Sequence, residues 1–201
     1  MPEVMDLLER YTFFEVLLCV IGGKNYSSAI AKTLKKSQPT VTEQLTRLRA
    51  TQIIKALNRG NAQTFEVNWE LLFEIFYNIV YQTVTVRKEC FQENEIKRLT
   101  RASLEGIVPR SLFKDFLREY YYTFRDSGGK KKGFDEIIFS FFLALAELDK
   151  ADWKKIINQY GIDGDILATV SNALGFEVYG IEQTALIMLP EVGQEPKVDK
   201  A

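Results

Sequence analysis

The chain has 201 residues, of which 46% are hydrophobic and 26% charged, with a net charge of −1. That is length for one large or two small domains with a real core, and the charge balance excludes a wholly disordered or histone-like chain. Histidine is absent, which removes Ser–His, Cys–His and His–metal chemistry, and Cys19 and Cys90 are too few for a four-thiolate zinc site or a disulfide framework.

In chain order, Leu7, Leu8, Tyr11, Phe14, Val16, Leu18 and Ile21 have helical spacing, so one helix is expected from Glu3 to Ile21, stopped by Gly22-Gly23. A second helix is expected after Tyr26, with Ser27 or Ser28 as its N-cap and Ile30, Ala31 and Leu34 inward. After a break at Lys35-Lys36-Ser37-Gln38, a third helix opens with Ser37 as N-cap and Pro39 in the first turn, where a missing N–H costs nothing. Val41, Leu45 and Leu48 form its buried face. The period then changes. Ile53–Leu57 reads as a strand, Asn58-Arg59-Gly60-Asn61 as a tight turn and Gln63–Val67 as the returning strand.

Asn68 is a good N-cap for a long helix from Trp69 to Val86 or beyond. It is apolar around most of its girth, so protein should enclose it. Further helices are expected near 90–105, 110–124, 134–149, 151–160 and 163–174, with a basic loop at Ser127–Gly133. The residues from Pro190 lack apolar periodicity and read as a disordered tail. No internal repeat is visible. The start of the chain is acidic where a signal peptide would be basic, and the apolar runs are interrupted or too short for a bilayer. Cys19 and Cys90 lie in apolar helical patterns and read as buried free thiols in a reducing compartment. The expectation is a cytoplasmic protein without membrane contact.

Charge divides the chain unevenly. Residues 20–68 carry eight Lys/Arg against two acids, Glu43 and Glu66, whereas residues 69–201 carry seventeen against twenty-one. A basic head on a mildly acidic body suggests anion binding at the front.

The order helix, helix, turn, helix, hairpin is that of a winged helix-turn-helix. The segment Ser27–Leu48, above all Ser37-Gln38-Pro39-Thr40-Val41-Thr42, resembles the helix-turn-helix of ArsR/MarR-type transcriptional regulators. Ile53-Ile54-Lys55 with Asn58-Arg59-Gly60-Asn61 resembles their wing. The resemblance covers residues 10–68. It implies a winged-helix DNA-binding domain at 1–68, whereas residues 69–201 resemble no family; with the helical patterns that follow, the expectation is a mainly α chain with a helical dimerisation or effector/partner domain at 69–189 and a disordered tail at 190–201.

With Val41, Leu45 and Leu48 inward, Gln38, Thr40, Thr42, Glu43, Thr46 and Arg47 face outward. Gln suits adenine, Arg guanine, Glu cytosine and Thr a thymine methyl. Lys24, Ser27, Ser28, Lys32 and Lys36 are candidate phosphate contacts. Arg59, supported by Lys55, Asn61 and Gln63, is a candidate for the minor groove. An outward polar face is equally what solvent requires, and winged helices also bind proteins.

The partners expected are double-stranded DNA, a second copy through the helix from Trp69, and a small-molecule or protein effector at the C-terminal part. No cofactor or metal is expected, and metal sensing of the ArsR kind lacks its ligand cluster. Redox sensing by a lone thiol needs an exposed, low-pKa site. Tyr120-Tyr121-Tyr122 with Phe139, Phe141 and Phe142 line either an effector pocket or, more ordinarily, the core. Lys130-Lys131-Lys132 reads as a solvated loop or a backbone contact. Asp149/Asp152 and Asp163/Asp165 suit helix N-termini. Without a nucleophile–base pair, metal cluster or Walker loop, the chain is read as a regulator, not an enzyme. The alternative is an interaction module in a larger transcription or replication assembly.

Overall fold

The computed structural model describes residues 2–59, 62–86, 104, 108–127, 132–146, 148 and 150–162. It is mainly helical, with a single two-stranded antiparallel sheet among the described residues. The elements are α1 (Pro2–Glu9), α2 (Tyr11–Ile21), α3 (Ser27–Leu34), α4 (Gln38–Ala50), β1 (Ile54–Arg59), β2 (Ala62–Val67), α5 (Trp69–Val86), α6 (Arg110–Ser127), α7 (Phe134–Ala146) and α8 (Lys150–Tyr160). No described helix is long and apolar enough to cross a membrane.

The single helix expected over Glu3–Ile21 is two. Arg10 adopts extended backbone (φ −77°, ψ 109°) and its carbonyl accepts from the Phe13 and Phe14 N–H groups, restarting the helix. The break lets α1 turn and pack on α7, where a Cβ on Gly133 would lie 2.8 Å from the Glu9 carbonyl oxygen. Only glycine tolerates so close a backbone approach.

α2 is the strut of the fold. Every residue from Phe13 to Ile21 is buried, and the helix packs against α1, α3, α4, β2 and α6. At its end, a Cβ on Gly22 would lie 2.2 Å from the Tyr121 ring of α6. Cys19 is buried there, as expected, whereas Cys90 lies outside the described residues.

The N-cap of α3 is Tyr26, which supplies no side-chain hydrogen bond, so neither serine takes the capping position. The hairpin register runs from Ile54↔Val67 to Arg59↔Ala62. Asn58 and Arg59 are therefore strand residues rather than turn residues. The sheet is pinned to the helices by the Phe65 N–H on the Asn25 carbonyl (3.0 Å) and the Asn68 N–H on the Ile53 carbonyl (2.9 Å).

α5 has the expected span, and its apolar girth is enclosed by its own chain. Phe76, fully buried, stacks on Phe113 of α6 at 3.9 Å and meets Phe141 of α7 edge-on at 6.0 Å. Leu72, Phe73, Ile75, Tyr77 and Val80 are buried with it, leaving Glu70, Gln82 and Val86 exposed. The inner face of α5 is thus taken up by α6 and α7 of the same chain. Tyr121, Phe141 and Phe142 belong to the core, Tyr120 is half-buried, and Tyr122 and Phe139 are exposed. Phe14 of α2 meets Phe134 of α7 at 5.6 Å, so one core runs from the front helices into the rear ones.

Helices expected near 90–105 and 163–174 lie outside the described residues, apart from buried Leu104. So do Lys130, Lys131, Asp149, Asp163, Asp165 and the tail from Pro190. Lys132 donates to Ser140 Oγ (2.7 Å), and Asp152 accepts from Lys155 in the first turns of α8 (2.7 Å).

Candidate nucleic-acid interface

Chain reversal between α3 and α4 is completed at Ser37. Its Oγ accepts from the Thr40 N–H (3.3 Å) and pairs with Thr40 Oγ1 (2.7 Å), so this terminus is capped by its own side chain. Pro39 stands in the first turn. Val41, Leu45 and Leu48 are buried at 1% exposure or less. Gln38, Thr40, Thr42, Glu43, Thr46 and Arg47 are all exposed. The periodicity therefore sorts the two faces as expected, with one addition. Gln44 is buried, and its Oε1 has no hydrogen-bond partner among the described residues.

The exposed face is held in a definite state. Thr42 and Thr46 donate their hydroxyls to the Gln38 and Thr42 carbonyls (2.9 and 2.8 Å). Such back-bonding occupies the hydroxyl proton and leaves the lone pairs and methyl for an incoming group. Arg47 Nη2 donates to Glu43 Oε1 at 2.7 Å, and its guanidinium lies 5.9 Å from the Phe13 ring centre. An exposed pair one helical turn apart is worth about 0.3–0.5 kcal/mol, and a bidentate contact to guanine about 1–3 kcal/mol. Releasing Arg47 to a base is thus cheap.

Around α4, Gln38 Nε2 donates to Ser27 Oγ at 3.4 Å, joining the starts of α3 and α4. Ser28, Lys32, Lys55 and Gln63 are exposed, and Lys24 is half-buried. Lys55 faces Glu66 across the ladder and Gln63 faces Asn58. The Arg59 side chain and Asn61 lie outside the described residues, so the expected minor-groove element is not among them.

Lys36 departs from the expectation. Its Nζ is ion-paired with Glu15 Oε1 of α2, and the Glu15 side chain is only 5% exposed. Glu15 was not among the residues the sequence singled out, although a lone carboxylate in Phe13–Ile21 signals a partner supplied from elsewhere. Burial, then the Glu15 charge and a hydrogen bond to Glu15, push the Tyr11 phenol well above its ordinary range. Burial and then Glu15 push the Cys19 thiol up to about 12. Cys19 therefore stays protonated at neutral pH and lacks the thiolate that redox sensing requires.

Sequence reasoning also passed over Tyr26, 45% exposed at the start of α3, and two exposed cations, Lys35 and Arg49. Among the described residues no group of three or more Cys, Asp or Glu is placed to hold a metal ion. No family model matches the chain, and no curated protein or solved structure does.

Proposed function

We propose that α2–α4 with the β1–β2 hairpin form a winged helix-turn-helix, and that the protein is a sequence-specific DNA-binding transcriptional regulator. The observation that carries this reading is α4: a self-capped helix with an apolar inner face and six polar side chains exposed beside a hairpin. A B-form major groove admits one such helix, N-terminal residues first. Gln38, Thr42, Thr46 and Arg47 are the base-reading residues, with Glu43 selecting a cytosine amine once Arg47 has left it. Ser28 and Lys32 hold phosphates and set the register. Two copies, placing two such helices about one DNA turn apart, occupy an operator, and the helical rear of the chain receives the effector or partner. No catalytic step belongs to this function.

The reading is tested by paired substitutions in a binding assay. Arg47→Ala is expected to lose discrimination at one base position, whereas Lys32→Ala weakens all duplexes alike. No change in either variant contradicts DNA reading by this face. Sedimentation at micromolar protein tests the dimer, which a monomer removes.

A second reading has an observation of its own. The Glu43–Arg47 pair neutralises the centre of the face, and the back-bonded threonines offer it no donors. Both suit a winged-helix module of a larger assembly without sequence preference. Binding that falls steeply with salt and shows no preferred site favours this module over the regulator.

A further inference from the structure

Two adjacent lysines occupy the reversal between α3 and α4, and the backbone sends them to different fates. Lys35 is in the left-handed region (φ 54°, ψ 40°), and the Lys36 N–H closes on the Ala31 carbonyl at 3.0 Å. That conformation crowds any Cβ, and helices that end this way usually carry glycine or asparagine. Lys36 then enters the fold and neutralises buried Glu15. Lys35 is left exposed, with no ion-pair partner among the described residues.

We propose that Lys35 is the phosphate contact of the reversal, and that Lys36 is withdrawn from DNA by Glu15. This rests on the reading of α4 as the helix that enters the major groove. Lys35 lies two residues before the Ser37 cap, so it accompanies the end of α4 that enters first and meets the phosphate ridge bordering the groove. A lysine serves there as a mobile point charge. Were Lys36 to serve instead, the buried Glu15 carboxylate would lose its counter-charge.

The test compares three proteins on one duplex across a salt series, with thermal melts alongside. Lys35→Gly suits the backbone and removes the charge. Affinity should fall roughly fivefold at low salt, and the log–log salt slope should become shallower by about 0.9, without loss of Tm. Lys36→Met should leave that slope unchanged and lower Tm by about 5–10 °C. An unchanged slope in Lys35→Gly, or a shallower one in Lys36→Met, overturns the assignment. If Lys36→Met does not fold, Glu15→Gln replaces it. Freed from its anchor, Lys36 should then steepen the slope, and an unchanged slope overturns its withdrawal by Glu15. Wild-type protein that binds no duplex at any salt ends the underlying DNA reading as well, an outcome distinct from wild-type binding with an inert Lys35.

Discussion

The front of the chain and its rear solve the same folding problem with different materials. At the front, α4 buries three aliphatic side chains and leaves a polar face whose threonines bond to their own helix. At the rear, α5, α6 and α7 close on one another through aromatic rings, with Phe76, Phe113 and Phe141 at the centre. The two regions nevertheless share α2, whose Phe14 meets Phe134 and whose Gly22 lies under Tyr121. The candidate interface therefore lies at the front, while the core is shared by both regions.

The sharpest way to break this comparison is Phe76→Ala. Removing a fully buried ring that stacks at 3.9 Å should cost about 4 kcal/mol. Because the core is continuous, front and rear should melt together. Urea titration followed by tryptophan emission and by far-UV circular dichroism checks this, and two separated transitions would contradict a shared core. Gly22→Ala probes the junction itself. The new methyl meets the Tyr121 ring, and a loss on the order of 2 kcal/mol is expected in the same titration. No loss would mean that α2 and α6 part without penalty.

Smaller effects separate the regions. Ser37→Ala removes the cap of α4 and should cost about 1 kcal/mol. Amide exchange should speed up in the first turn of α4 and stay unchanged in α5. The smallest effect is a pH dependence. Burial raises the Cys19 thiol from 9.0 to about 12. The unfolded chain therefore releases this proton first, and the stability it contributes is intact below pH 9 and lost between pH 9 and 12. At about pH 9.5 the loss should be less than about 1 kcal/mol. Cys19→Ala should remove this onset, leaving the later decline from Tyr11, whose phenol is also raised. An onset unchanged in Cys19→Ala would place the titrating group elsewhere.

What the sequence revealed follows from how local each cause is. The Ser37 cap, Pro39, the inner face of α4, the two strands and the span of α5 depend on neighbours within a few residues, and all were legible. The break at Arg10 carries no glycine or proline, so a continuous apolar period hid it. The N-cap of α3 falls on Tyr26 because the backbone, not a hydroxyl, sets that terminus. The Lys36–Glu15 pair joins residues 21 positions apart, and pairing at that distance leaves no trace in spacing. The enclosure of α5 is legible in its apolar girth, but that α6 and α7 supply it is not, since those rings lie more than 30 residues away in sequence. Of the candidate site, the exposed face of α4 was readable from periodicity alone. The pairing of Arg47 with Glu43 and the left-handed turn at Lys35 needed coordinates.

In the function proposed, α4 reads DNA from its exposed face. Selection of bound duplexes from a random pool at near-physiological salt tests it most directly. Enrichment of one motif with two-fold symmetry is expected, with base preference relaxed at one position in Arg47→Ala. Retention of no duplex, or of duplexes without any shared motif, would contradict it.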